Sequence, residues 1–430
     1  MKVLMFGWEF PPHISGGLGT ACHGLTKGLT ELGCVDILFV VPKAFGDEEQ
    51  TGIQLIGANN VALNKREIQF DNMQKAIDCF EIDSRIIPYT SEEDFWKLKS
   101  GKYSKRTRFV KTDEGFKINF SGNYSGNLFQ EVRNYAAVSE IIAKNNTFDV
   151  IHAHDWLSYP AGIAAKNISG KPLVIHVHAT EFDRSAGNIN PAVYAIEREG
   201  MENATKIIAV SNLTKNIIVE KYNISPKKVV TVYNAVEPLV PTKKIIKKKR
   251  ASEKIVTFFG RITMQKGPDY FIEVANLVLK KTKNVHFVMA GSGDLMNDMI
   301  ARVVKMKITD RFHFTGFLKG DDVSQMFEMT DVLVMPSISE PFGIVPLEAM
   351  QSGIPVIISN QSGVAEIVEN AMKIDFWDTH AMADAIYGLL NYPSLSKVLK
   401  KGGEKEVRKL KWKSSAKEVY KVYKNALTLN

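Results

Sequence analysis

Short apolar runs recur along the chain, separated by stretches whose apolar positions follow helical spacing. KVLMFGW, DILFVVP, FDVIHAH, PLVIHVH, KIIAVS and VVTVYN occupy the first half. Each reads as a strand buried on both faces of a parallel sheet with helices between. LGTACHGLTKGLTELG, after the first run, predicts a helix closed by Gly33. The pattern pauses from Lys97 to Gly126, a polar stretch rich in Gly, Lys and Ser that reads as an insertion or hairpin outside the core. It resumes after the lysine-rich KKIIKKKR with KIVTFFG, VHFVMAG, FHFTGF, DVLVMPS and PVIIS. The helices GPDYFIEVANLVLKK, DDVSQMFEM and IVPLEAMQSG fall among them. Two doubly wound α/β domains, joined near residues 238–254, are the economical architecture. The first covers residues 1–240, with an insertion at about 90–130, and the second covers 250–411. Ligands of such open sheets bind at the carboxyl ends of the strands, which here predicts a cleft faced by both domains.

A chain of 430 residues exceeds what one ordinary core organises. A composition 45% hydrophobic and 24% charged is that of a soluble globular protein. No apolar run approaches the ~18 residues of a membrane span, and MKVLMFGWEFPP is too short in its apolar part for a signal-peptide core. Cys22, Cys34 and Cys79 are too few for a disulfide framework or a zinc ribbon, so a reducing, cytoplasmic setting is expected. Much of the net charge of +8 sits in residues 243–250 and in the tail after Lys397. The first reads as a solvated linker. The second reads as the polar face of terminal helices, with Trp412, Val419 and Tyr420 as apolar contacts. No aromatic RNA-binding signature or zinc-finger spacing accompanies this charge, so nucleic acid is not an expected partner. The phosphates of a nucleotide would account for part of it.

Four groups of residues carry candidate chemistry. PPHISGGLGTA lies between the first strand and its helix, where Gly16, Gly17 and Gly19 would let helix-start N–H groups approach an anion. The G-x-G-x-x-G fingerprint fails at Cys22, and GSGDLM fails at Met296; neither loop ends as a P-loop does, and a tight turn without ligand is the plain alternative. In FFGRITMQKG, Arg261 and Lys266 follow a buried strand and precede a helix starting near Pro268, an arrangement that suits a diphosphate but equally describes an exposed loop. IHAHDW (His152, His154, Asp155) and IHVHATEFD (His176, His178) set two H-x-H pairs at strand ends, each pair on one face. A metal would need both pairs to converge with a carboxylate, and polar groups lining a cleft, with no metal, is the preferred reading. Finally, SISEPFGIVPLEAMQSG carries Glu340 and Glu348. With a helix starting close to Phe342, Glu340 lies on the loop and Glu348 about a turn and a half into the helix. Eight helical steps would leave the two ~80° apart, so they serve different targets. Glu348 is flanked by Leu347, Ala349 and Met350, an apolar setting for a free carboxylate.

The blocks WEFPPHISGGLG, IHAHDW, VHATE, ATKIIAVSN, VYNAVE, FGRITMQKG and SEPFGIVPLEAMQSGIPVI together resemble the retaining glycosyltransferases of the GT-B architecture, in particular the glycogen and starch synthase-like enzymes. The resemblance spans most of the chain outside about residues 45–130. It implies two doubly wound Rossmann-like α/β domains facing a central cleft, with the helix over 412–430 packing back onto the first domain. Glu340 and Glu348 match the ends of that family's E-x7-E motif. By resemblance, Gly16 and Gly17 close on the donor phosphates, Arg261 and Lys266 clamp the diphosphate, and His178 stands near the donor hexose. Asp155 and His154 belong to the acceptor side. Glu340 meets sugar hydroxyls, Glu348 holds the ribose, and the N–H groups of Phe342, Gly343 and Ile344 face sugar and phosphate. One departure is plain: the family's usual Lys-x-Gly-Gly reads Ile14-Ser15-Gly16-Gly17 here, which removes one cation.

The activity implied is transfer of a glucosyl unit from ADP- or UDP-glucose to an α-1,4-glucan with retained configuration. No metal or other cofactor is implied, and the expected partners are a nucleotide diphosphate sugar and a glycan acceptor. The competing readings are a related GT-B enzyme with a lipid-linked, surface-polysaccharide or small-molecule acceptor, and a non-catalytic binder of nucleotide sugar or glucan. A dehydrogenase fits less well, since both glycine loops lack the third glycine.

Overall fold

The computed structural model describes residues 1–14, 16–48, 52–63, 109–112, 115–122, 124, 128–185, 187–237 and 253–429. Ser15, the lysine run at 243–250 and most of the predicted insertion lie outside the described residues. The chain forms two compact units. One comprises Met1–Phe182, Gly187–Ala235 and Trp412–Asn430; the other comprises Asp183–Ala186 and Val236–Lys411.

The N-terminal unit contains β1 (Lys2–Phe6), α1 (Gly17–Thr30), β2 (Asp36–Val41), β3 (Ile53–Gly57), β4 (Phe109–Thr112), β5 (Gly115–Ile118), α2 (Leu128–Asn145), β6 (Val150–His154), α3 (Tyr159–Ser169) and β7 (Leu173–Val177). After α4 (Glu181–Ser185) it continues with α5 (Pro191–Asn203), β8 (Lys206–Ala209), α6 (Asn212–Lys221) and β9 (Val229–Thr231). Seven strands make a parallel sheet in the order β3-β2-β1-β6-β7-β8-β9. Central β1 pairs Val3 with Ile37 on one side and with Val150 on the other. Its Val3, Leu4, Met5 and Phe6 are wholly buried, as the unbroken apolar run requires when helices cover both faces. The polar stretch expected to lie outside the core does so only in part. β4 and β5 form a separate antiparallel hairpin, but Ile118, Phe120 and Tyr124 join the core of this unit. Three well-placed apolar side chains are enough to anchor a segment whose average composition is polar.

The second unit contains β10 (Lys254–Phe259), α7 (Pro268–Lys281), β11 (Val285–Ala290), α8 (Met296–Lys305), β12 (Phe312–Gly316), α9 (Asp321–Met329) and β13 (Val332–Met335). It ends with α10 (Ile344–Gln351), β14 (Val356–Ser359), β15 (Met372–Ile374), α11 (Thr379–Asn391) and α12 (Pro393–Val407). Its six parallel strands run β12-β11-β10-β13-β14-β15, the 3-2-1-4-5-6 order of a Rossmann-like sheet. The N-terminal sheet follows the same winding once the hairpin is set aside. Each sheet therefore reverses direction beside its first strand, between β1 and β6 in one unit and between β10 and β13 in the other.

The last helix, α13 (Trp412–Leu429), belongs to the N-terminal unit. Its buried residues Trp412, Ala416, Val419, Tyr423 and Ala426 alternate steps of four and three, one stripe of a helix. Tyr423, rather than the predicted Tyr420, is the buried tyrosine, because Tyr420 lies one residue off that stripe. The stripe meets α1 at Gly24 and Gly28. A Cβ on Gly24 would stand 2.2 Å from the Trp412 ring, and one on Gly28 would stand 2.7 Å from the Trp412 carbonyl oxygen. Two glycines one turn apart thus make the seat for Trp412.

Candidate functional site

In the second unit, the loops leaving β10 and β13 meet at the point where the strand order reverses. Gly267 has φ +63°, and a Cβ there would stand 2.2 Å from the Pro336 carbonyl oxygen. The Ile338 N–H donates to the Gln265 carbonyl at 2.9 Å. The two loops are thereby locked together, and Lys266 Nζ forms an ion pair with the Glu340 carboxylate. These side chains are 20% and 9% exposed, so the pair is shielded without being sealed. Glu340 is also fixed by its backbone: its N–H donates to the Gln361 carbonyl at 2.9 Å, and its own carbonyl accepts from Gly363 at 2.8 Å. The cation and carboxylate read from sequence as separate contacts are each other's partners here.

Helix α10 starts at Ile344, two residues past Phe342 and close to where the sequence reading put it. Gly343 precedes it with φ +100°, a conformation that turns the chain into the helix and favours glycine. The Phe342 ring is buried, and its carbonyl accepts from the Val364 N–H at 2.7 Å. The residues that precede α10, α1 and α7 are glycines and offer no side-chain cap. Glu348 is the fifth residue of α10 and is half-buried. Burial around its carboxyl raises its pKa to about 7. Arg261 is half-buried beside Asp294; burial pushes that carboxyl up, and the Arg261 charge draws it down. The GSGDLM glycines have a packing role. A Cβ on Gly291 would stand 1.8 Å from the Gly260 carbonyl oxygen, and one on Gly293 would stand 2.2 Å from that of Ile262.

In the N-terminal unit, the three glycines after β1 divide in two. A Cβ on Gly16 or Gly17 would meet nothing within 4 Å, whereas one on Gly19 would run into Ile14 at 2.4 Å and Glu9 at 2.9 Å. Gly19 therefore serves packing, and its N–H donates to Glu9 Oε1 at 3.1 Å. Ile14, at the place of the expected lysine, spends its side chain on this contact.

At the ends of β6 and β7, Asp155 takes φ +58° and acts on backbone. Its Oδ1 accepts from the N–H groups of His178 at 2.7 Å and Ala179 at 3.3 Å. His178 lies just past β7 and is half-buried. Burial lowers its pKa to about 3, which keeps it neutral at ordinary pH. Its Nε2 is 2.9 Å from His154 Nδ1. The two H-x-H pairs do face each other, and three of the four rings are buried. His152 and His154 are wholly inaccessible and His176 is 2% exposed. Burial, and then the neighbouring histidines, hold all three well below the ordinary imidazole range. Cys22 lies against His154 and His178, and burial pushes its thiol well above the usual range.

Two residues that the sequence reading passed over belong to these constellations. Glu9 is a buried carboxylate at the start of α1, and its signal was a charged residue between Trp8 and Phe10 in an apolar block. Tyr423 places its hydroxyl 2.7 Å from His152 Nδ1, a contact across 271 positions that no local pattern announces.

Comparison with known proteins adds the family. Residues 241–406 match the model described as glycosyl transferases group 1, and residues 115–238 match that of glycosyltransferase family 4. An uncharacterized glycosyltransferase of Methanocaldococcus jannaschii is 27% identical over 448 residues, covering 100% of this chain and 99% of that protein. The glycogen synthase of Mycobacterium tuberculosis is 24% identical, over 92% of this chain and 87% of its own length. The structure of HepE from Anabaena, in complex with UDP and glucose, superposes with a TM-score of 0.69 at 16% identity, covering 99% of this chain and 100% of that one. With both units matched by glycosyltransferase models and both sheets wound in the Rossmann manner, the chain carries a group 1 glycosyltransferase domain over residues 241–406 and has the GT-B fold.

Proposed function

We propose that the chain moves a glucosyl unit from ADP- or UDP-glucose to the 4-hydroxyl of an α-1,4-glucan, with retention. The observation that carries this reading is the Lys266–Glu340 pair at the switch point of the second sheet, beside the uncapped start of α10. Ligands of doubly wound sheets bind at that point, and a helix start attracts phosphate. An ammonium group has three N–H donors, so Lys266 can keep Glu340 and still meet phosphate oxygens. In this reading Lys266 and Arg261 take up the charge that grows on the departing diphosphate, with the N–H groups of Gly343 and Ile344. Glu340 accepts from hexose hydroxyls, and Glu348 accepts from the ribose.

In the N-terminal unit, the open space at Gly16 and Gly17 lets their backbone approach phosphate oxygens. His178, held neutral and oriented through Asp155 and His154, offers a hydrogen bond to the hexose. The bond from C1 to the phosphate oxygen breaks and the bond from C1 to the acceptor oxygen forms on the same face. The acceptor proton goes to the departing phosphate. The M. tuberculosis relative, a glycogen synthase, supports the acceptor class, and the UDP and glucose held by HepE support the donor class.

Ile14 favours a second reading. It packs against Gly19 instead of offering a cation, which fits a related enzyme of different donor or acceptor choice. A panel of sugar nucleotides, with glycogen, maltooligosaccharide and polyprenyl-phosphate-linked acceptors and mass-spectrometric readout, separates the two. Glucosyl transfer to glycogen is expected. Transfer to the lipid-linked acceptor alone supports the second reading, and no transfer from any donor refutes both.

A further inference from the structure

We propose that His152, His154 and His176 form a zinc-class metal site inside the N-terminal unit, behind His178. One nitrogen from each of the three lies within 4.8 Å of the others. The hydrogen bonding of the rings sorts these nitrogens. His152 Nδ1 is 2.7 Å from the Tyr423 hydroxyl, and His154 Nδ1 is 2.9 Å from His178 Nε2. Nε2 of His152, Nε2 of His154 and both nitrogens of His176 are buried without a hydrogen-bond partner. A buried polar atom left unpaired is costly, and here four occur in one cluster.

A protonated Nδ1 engaged by an outer partner, with the Nε2 lone pair left over, is the arrangement that metal-ligating histidines show. The engaged Nδ1 and unpartnered Nε2 of His152 and His154 fit it. Tyr423 and His178 are then the outer partners that hold the two rings. Three neutral imidazoles suit zinc and its neighbours in the transition series rather than magnesium or calcium. Tetrahedral zinc–nitrogen bonds need ligand atoms about 3.4 Å apart, so ring rotation must draw the present set inward. The buried carboxylates of Asp155 and Glu9, whose charges both act on adjoining Cys22, offset part of the ion's charge.

The test is cobalt titration of the chelator-stripped full chain, followed by visible absorption and by mass spectrometry of bound metal. One equivalent is expected, with the strong visible band of a four-coordinate ion, displaceable by zinc. His176→Gln should abolish the band, and Tyr423→Phe should weaken affinity about 10- to 100-fold. Zinc should also raise the melting temperature of the unsubstituted chain, which keeps the proposal testable if His176→Gln does not fold. Absence of stoichiometric binding overturns it. So does binding that survives His176→Gln, or binding lost on His13→Gln, because exposed His13 and Asp47 form an alternative set with buried Glu48.

Discussion

Lys266 and Glu340 hold each other in a half-shielded pair, and this sets what their loss should do. In the proposed function Lys266→Ala removes a fixed cation from the departing phosphate, so kcat/KM for transfer should fall by about 10²- to 10³-fold. Activity that barely moves in a steady-state assay would remove Lys266 from the diphosphate. Glu340→Gln should lower kcat, and Glu348→Gln should mainly raise KM for the donor, a split read from the same assay. Glu348 also has a pH signature. Its folded pKa of about 7 lies above the ordinary 4.5, so between those values the folded chain holds a proton that the unfolded chain releases. Its contribution to stability is favourable below that window and is lost as pH rises through it. The urea midpoint of Glu348→Gln, relative to the unsubstituted chain, should therefore rise from pH 4.5 to pH 7; a constant difference would contradict the raised pKa. The sequence exposed the identities of these residues because their blocks are contiguous. It could not expose that Lys266 and Glu340, 74 positions apart, are partners.

At the level of elements, the apolar runs were legible because strands buried on both faces have no polar positions to confuse them. The edge strands β3 and β15 gave no such signal, since Ile53–Gly57 and Met372–Ile374 are half-exposed and short. The start of α10, two residues past Phe342, is set by Gly343, whose positive φ turns the chain into the helix. Helix α13 is set by its seat on α1. Gly24→Ala would push a methyl group into the Trp412 ring and should destabilise the N-terminal unit by about 1–3 kcal/mol. Trp412→Ala leaves a cavity instead and should cost about 3–5 kcal/mol. Urea unfolding followed by circular dichroism checks both, and a Gly24→Ala variant as stable as the parent would mean that α13 can shift away.

For the whole molecule, the units differ in how the chain assembles them. Apart from the short segment Asp183–Ala186, the second unit is one continuous stretch, whereas the N-terminal unit needs the chain's last helix. The fragment 253–411 should therefore unfold cooperatively on its own. The fragment 1–237 should not, because the seat of Trp412 on α1 and the surface that meets Tyr423 at His152 would be bare. Adding 412–430 through a flexible linker should restore a sharp thermal transition in the latter. Cooperative unfolding of 1–237 alone would show that α13 is dispensable for the fold.

The sequence by itself determined the two α/β units and the loops that carry Arg261, Lys266, Glu340 and His178. Burial on both faces and the strand–loop–helix rhythm are written in local composition. Only the tertiary structure decided which groups meet. It joined Lys266 to Glu340, turned Gly19 and Gly291 to packing, and left Gly16 and Gly17 open. It also gathered four histidines into one stack, with Tyr423 on His152. Such pairings depend on distances across strands and between distant segments, which residue order along the chain does not contain.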